Sequence, residues 1–206
     1  MPQFKTALEA SSYFHPNQCE AFHQQVQETI RKMLEQGYEY PTLTQYSVAW
    51  AEDQDPFGHV MWQAYGHICA QCFNRVVESF QEHLGDKFQD FMTARGISAM
   101  STRITMDVKR VVKYPDLLIT GARISEVHPD RFLWRFSVWS TKQRAAVAEA
   151  EGWTVFFDHR TGKKADLPRE GGVYANLHAA LVRRAEESTQ VRRKWEENRK
   201  SRRANL

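Results

Sequence analysis

Residues 61–84, MWQAYGHICAQCFNRVVESFQEHL, decide the fold. Tyr65, Ile68, Cys69, Cys72, Phe73, Val76, Val77 and Phe80 recur at intervals of three and four, so one wide apolar face runs along the stretch. The spacing predicts a single helix from Met61 to Leu84, most of it buried, and such a helix needs a wrapping. Strand signals follow closely enough to supply one. In 99–112 (AMSTRITMDVKRVV) Ile104, Met106 and Val108 alternate with polar neighbours. Residues 117–127 (LLITGARISEV) are apolar enough for a central strand, 131–141 (RFLWRFSVWST) alternate Phe132, Trp134, Phe136 and Val138 with Arg131, Arg135 and Ser137, and 145–159 (AAVAEAEGWTVFFDH) make the last long strand.

The connections KYPD, HPD and TKQR are too short for helical crossovers, which predicts four antiparallel neighbours in a meander. Upstream, 41–50 (PTLTQYSVAW) has the aromatic and β-branched content of a strand ending at Trp50. The chain therefore reads as α+β: a strand, a long buried helix, then a sheet curled around that helix. Residues 16–37 form an amphipathic helix with Phe22, Val26, Ile30, Met33 and Leu34 on one stripe and Gly37 as its stop, packed on the domain from outside. A last helix over 171–206 begins half apolar at Tyr174, Leu177 and Leu181 and ends as a charged, solvated arm. The expected division is an N-terminal helical extension over 1–40, one α+β domain over 41–185 and the arm over 186–206, since 206 residues suffice for one sizeable core.

A formal net charge of +3 calls for neither nucleic acid nor an anionic membrane. The basic excess is local, with nine Lys/Arg against four Glu from Arg183 to Arg203. No apolar leader opens the sequence and no run of about eighteen apolar residues occurs, which points to a soluble intracellular protein with reduced thiols. Cys69 and Cys72 form a C-x-x-C, but they sit on the apolar helical face and no second cysteine pair completes a zinc site, so both read as small buried hydrophobes. No metal or cofactor is called for.

Ahead of the central helix, 51–62 (AEDQDPFGHVMW) crowd three carboxylates, a proline, a glycine and a histidine between apolar stretches. Like charges so close disfavour one another, so a purely structural turn gains little from them. Together with the element order, this motif resembles the hotdog fold, and specifically thioesterases of the 4-hydroxybenzoyl-CoA type and their fungal thioesterase-like relatives. The likeness rests on Trp50, Asp53, Asp55, Gly58, His59, Val60 and Tyr65, on VVKYPDLLITGARI, and on AEAEGWTVFFDHRTGKKADLP. It covers about residues 43–185. The sequence departs from the family pattern at Ala51-Glu52, where one spacer is usual, at Met61-Trp62 after the G-H-V, and at Ala70-Gln71, where an acid is often seen on the helix.

The resemblance implies acyl thioester hydrolysis, with acyl-CoA or an acyl-carrier protein as substrate and Asp55 as the catalytic carboxylate, held in a turn by Pro56 and Gly58. Such hydrolysis needs a carboxylate to attack the carbonyl or activate water, and donors for the oxyanion. The first-turn N–H groups at Met61 and Trp62 have no helical partners, and the helix dipole adds positive potential there. Asp53 orients the turn or caps the helix; His59 contacts substrate or stabilises the turn; Tyr65 faces inward and packs by default. Asp55 itself, before Pro56, also has the reading of a simple Asx turn. Arg103, Lys109, Arg110 and Lys113 lie on or beside one strand and are the basic groups available to CoA phosphates.

A curled sheet with exposed edges is remedied by pairing, which predicts a homodimer or a dimer of dimers. In the proteins it resembles, the active sites lie at the dimer interface. The terminal Ala-Asn-Leu behind basic residues is a degenerate relative of a peroxisomal address, with the cytoplasm as the default location. A product-release or dehydratase-type enzyme of polyketide or fatty-acid biosynthesis and a catalytically silent assembly or binding module remain the other readings.

Overall fold

The computed structural model describes residues 20–204, with side chains over 22–201. Its strands are β1 (Thr44–Ser47), β2 (Ile97–Val108), β3 (Leu117–His128), β4 (Arg131–Ser140), β5 (Ala145–Asp158) and β6 (Lys163–Lys164). Its helices are α1 (Glu20–Leu34), α2 (Trp62–Glu78), α3 (Gln81–Leu84), α4 (Phe88–Met92), α5 (Leu167–Glu170) and α6 (Gly172–Ala204). One antiparallel sheet runs in the order β1-β3-β4-β5-β2, with β6 added beside β5. This is the α+β half-barrel around a helix that the hotdog resemblance implies.

Alternation on the strands builds two cores. Leu118, Ala122, Ile124, Phe132, Trp134, Phe136 and Val138 pack with Tyr65, Ile68, Cys69, Cys72 and Val76 of α2 on the inner side. Leu117, Ile119 and Trp139 pack on the outer side with Val26 and Met33 of α1, which thus lies outside the domain as its stripe predicts. The segment 16–19 of that predicted helix, like Asn205 and Leu206 at the other end, falls outside the described residues.

Three expectations need correction. The helix over 61–84 is not continuous: α2 ends at Glu78, a turn takes Ser79 and Phe80, and the short α3 starts at Gln81. The Ser79 hydroxyl donates to the Val76 carbonyl at 2.6 Å, competing with the helical ladder. Phe80, fully buried, swings into the edges of Phe91 and Phe132 instead of continuing the stripe. Secondly, the strand over 41–50 shrinks to Thr44–Ser47, because Tyr40–Thr42 form a 3-10 turn and Trp50 lies in the loop beyond. Finally, the meander holds only for β3, β4 and β5. KYPD is no hairpin: β2 pairs with β5, Met106 opposite Ala150, at the far edge from β3.

A connection too short for a helix is still long enough to cross a sheet end. Residues 109–116 reach up to about 25 Å extended, and three strand spacings need only about 15 Å. Hydrogen bonds pin this crossing segment, from the N–H of Lys109 and Arg110 to the Val147 carbonyl and from Val48 N–H to the Asp116 carbonyl. The short β1 pairs only with Leu117–Thr120 of the twelve-residue β3, and other groups cover part of the remaining edge. Glu39 N–H donates to the Ala122 carbonyl at 2.9 Å, Ala122 N–H to Thr42 Oγ1 at 2.9 Å, and Ser188 Oγ of α6 to the Ile124 carbonyl at 2.6 Å.

Candidate active site

The loop between β1 and α2 is folded by its own carboxylates. Asp53 is buried, its Oδ1 accepting from the Tyr46 hydroxyl at 2.8 Å and its Oδ2 from the Ala49 N–H at 2.6 Å. Burial and the Asp53 hydrogen bond together push the Tyr46 phenol well above its usual range. The Asp53 carbonyl also accepts the Met61 N–H at 2.7 Å. Asp53 therefore orients the turn and does not cap the helix.

Asp55 faces the other way. Its Oδ1 accepts from the N–H groups of Phe57 and His59, both at 2.9 Å, while Oδ2 lies 3.9 Å from His59 Nδ1. Gly58 completes the bend with φ +73°, a conformation open to glycine without strain. The Asp55 side chain is 31% exposed and lies on the wall of a cavity of about 510 Å³, shared with Trp50, Gln54, Phe57, Gly58, Lys113 and Tyr114. Trp50 and Tyr114 meet edge to face at 5.5 Å. The Val60 N–H to Val112 carbonyl bond, at 2.8 Å, draws the 109–116 crossing against the loop and brings Lys113 and Tyr114 to the cavity.

Of the residues singled out in the sequence, Asp55, Gly58 and Lys113 share this cavity. His59 does not line it but holds Asp55 through its backbone N–H. Met61 is corrected as an oxyanion donor, because its N–H is consumed by Asp53. The backbone N–H groups of Trp62 and Gln63 have no partner among the described residues, and the Trp62 indole is 62% exposed. Tyr65 is packed in the inner core at 1% exposure rather than at the cavity; burial and, secondarily, the Asp116 charge push its phenol up to about 12. Arg103 sits opposite Trp153 in mid β2, six residues or about 20 Å of strand before Lys109. Lys109 is paired with Glu149, and Arg110 is exposed beyond the strand. None of these three lines the cavity.

Sequence reasoning does not single out the aromatic walls Trp50 and Tyr114 as site residues. Both stand within the quoted motifs, but only the crossing of 109–116 brings them together. Cys69 and Cys72 are both buried, burial raising the Cys69 thiol to about 12, and Cys72 Sγ lies 3.1 Å from the Thr42 carbonyl.

A sheet curled around a helix, with a carboxylate-bearing turn at that helix's start, defines the hotdog class. The chain belongs to the thioesterase-like superfamily, whose family model matches residues 48–181. No curated protein sequence matches it. Among solved structures it is similar to a DHNA-CoA thioesterase from Staphylococcus aureus (15% identity, TM-score 0.54, 68% of this chain and 89% of that one). It is also similar to YbaW, a probable thioesterase from Escherichia coli (22% identity, TM-score 0.52, 66% and 96%). A third likeness is to a thioesterase complexed with coenzyme A and Zn from Thermus thermophilus (19% identity, TM-score 0.52, 70% and 95%).

Proposed function

We propose that this protein hydrolyses an acyl thioester, carried by CoA or by an acyl-carrier protein, with Asp55 as the catalytic carboxylate. The observation that carries the reading is the placement of Asp55 on the cavity wall, in the turn that leads into two N–H groups at the start of α2 without a partner among the described residues. With Oδ1 held by two backbone donors, Oδ2 is the oxygen available for chemistry. It attacks the thioester carbonyl, giving an acyl-aspartate anhydride that water then cleaves, or it removes a proton from an attacking water. Either way the thiolate leaves. The negative charge that gathers on the carbonyl oxygen is taken by the Trp62 and Gln63 N–H groups, in the positive field of the helix start. Lys113 supplies the cationic wall for a phosphate-bearing carrier.

Incubation with a panel of acyl-CoA and acyl-carrier thioesters, followed by free-thiol detection, tests this directly. Thiol release is expected for at least one substrate, and Asp55→Asn should lower the rate by about a hundredfold or more with an unchanged melting temperature. Equal release by the variant removes Asp55 from the mechanism. No thiol from any substrate favours the silent binding or assembly module, and dehydration of a hydroxyacyl thioester favours the biosynthetic enzyme.

The same reading includes a homodimer formed along β2. No described helix is long and apolar enough to cross a membrane. Within the proposal the protein works in the cytoplasm; the Ala-Asn-Leu terminus makes peroxisomal import the other location, tested by deleting those three residues from a tagged protein.

A further inference from the structure

On the outer face of the sheet, away from the Asp55 cavity, one row of paired residues crosses four strands: Arg123 on β3, Arg135 on β4, Glu151 on β5 and Thr105 on β2. The neighbouring row on that face places Glu149 beside Asp107. Charge matching along these rows is incomplete. Arg135 binds Glu151 at 3.0 Å and Lys109 binds Glu149, whereas Arg123 has no ion pair among the described residues. Its Nε is buried and has no hydrogen-bond partner among the described residues.

A second guanidinium comes to the same place from α6. Arg192 turns its Nε to Glu196 at 2.7 Å and one terminal nitrogen to Gln36 Oε1 at 3.2 Å, which leaves further donors free. Arg123, Arg135 and Arg192 all line one cavity of about 160 Å³, together with Tyr38. Burial works against the charge on Arg123, and Arg192 and Arg135 add to that, while Tyr38 opposes it. Guanidinium groups do not shed their proton in proteins, so the charge stays and its buried donor asks for an acceptor. Asp107, Glu149 and Glu151 also line the cavity. The two glutamates are neutralised by Lys109 and Arg135, and Asp107 belongs to the β2 end, three strands from β3. On the α6 side Glu196 pairs with Arg192 and feels Arg123, so the Arg123 end holds two guanidiniums against one carboxylate and is left positive by one charge.

We propose that this cavity is a binding site for a small oxyanion of the phosphate class, held between Arg123 and Arg192. Tetrahedral oxygens accept from the Arg123 Nε and from the free Arg192 donors, the geometry for which arginine is suited. Because Arg192 lies on α6, Tyr38 on the chain before β1 and Arg123 in the sheet, an occupied site clamps the C-terminal helix to the sheet. The anion comes either as free phosphate or as the phosphate end of a nucleotide. The site stands independently of the Asp55 reading.

The test is calorimetric titration of the full chain with sodium phosphate and, separately, with ADP, at constant ionic strength in a zwitterionic buffer. The proteins are wild type, Arg123→Gln, Arg192→Gln and, as a control, Arg193→Gln, whose side chain is exposed and pairs with Glu197. Saturable binding at one site is expected for wild type and the Arg193 variant, with affinity at least tenfold weaker in the Arg123 and Arg192 variants and a matching loss of the phosphate-induced rise in melting temperature. Tighter binding of phosphate than of ADP assigns the free ion, and the reverse assigns a nucleotide. No saturable binding by wild type, or equal binding by all four proteins, overturns the site. Should Arg123→Gln fail to fold, the partly exposed Arg192 carries the comparison alone.

Discussion

Asp53 and Asp55 differ in fate because of what lies within reach of each. Asp53 follows β1 closely enough to meet the Tyr46 hydroxyl and the Ala49 N–H, and its carboxylate disappears into the loop. Asp55, past the turn, finds only backbone donors for one oxygen, while the other lies 3.9 Å from His59 Nδ1 and the residue lines the cavity. The motif in the sequence identifies both acids but not this division, which depends on where β1 ends. At the opposite extreme, Gly152 is dictated by its surroundings. A Cβ there would stand 2.3 Å from Trp134 Cζ2 and 2.6 Å from the Arg103 carbonyl oxygen. Trp134 cannot yield, being stacked on Phe136 at 4.0 Å and bonded through its indole N–H to Thr154 Oγ1 at 2.9 Å. Gly152→Ala is therefore expected to lose about 1–3 kcal/mol, the usual cost of overpacking, in urea unfolding. Gly96→Ala, where the added methyl meets nothing within 4 Å, is the comparison. An unchanged midpoint for Gly152→Ala would show that the Trp134 ring is held more loosely than its contacts imply.

Elements were legible wherever periodicity and burial agree. The stripe from Tyr65 to Val77 marks α2, and the alternation from Phe132 to Val138 marks β4, because each faces a single core. What stayed illegible were decisions made by partners distant in sequence. The break after Glu78 depends on Phe91 and Phe132, and the placement of β2 beside β5 depends on contacts that no spacing reveals. The same holds for the charged last helix. Its solvated-arm reading over 186–206 fits residues 196–201, whereas Ser188 is buried; just ahead of the arm Arg184 binds Glu39 at 2.8 Å through Nε and Ser79 Oγ at 3.0 Å, with both charged side chains below 20% exposure. Glu39 also accepts from the Ile124 N–H at 3.4 Å. This pair ties α6 to the end of α2 and to the β3 edge. Glu39→Ala strands the guanidinium and should cost about 3 kcal/mol. The double variant Glu39→Met/Arg184→Met should lose less than the single one in thermal unfolding, because removing both charges leaves no unpaired ion. Losses that simply add would mean the two residues act separately.

At the scale of the whole molecule the sheet is unfinished on one side. The β3 edge is closed by β1, Glu39, Thr42 and Ser188, whereas β2 presents twelve residues whose outer hydrogen-bonding edge has no neighbouring strand among the described residues. On β2, Met106 lies opposite Ala150 of the inner core, so beyond the register shift at Ser101/Arg103 the even-numbered side chains face the concave side, whereas before it Ile97 and Ala99 do. On the concave side Ile104 and Val108 are 55% and 44% exposed, an apolar pair beside an open edge, while Met100, ahead of the shift, is 43% exposed on the other face. A second copy pairing antiparallel along β2 would satisfy that edge and cover Ile104 and Val108 on both chains, and symmetry makes the contact closed rather than endless. Light scattering coupled to size exclusion should then give twice the 24.0 kDa chain mass. Ile104→Lys, placing a charge on the most exposed apolar residue of β2, should return the single-chain mass with an unchanged circular dichroism spectrum. A wild-type protein that elutes at the single-chain mass would sink the β2 dimer. The exposed Phe57 and Trp62 link this to chemistry: if a partner completes the walls around the Asp55 turn, the monomeric variant loses thiol release while remaining folded. If the variant retains full release, each chain holds a complete site of its own.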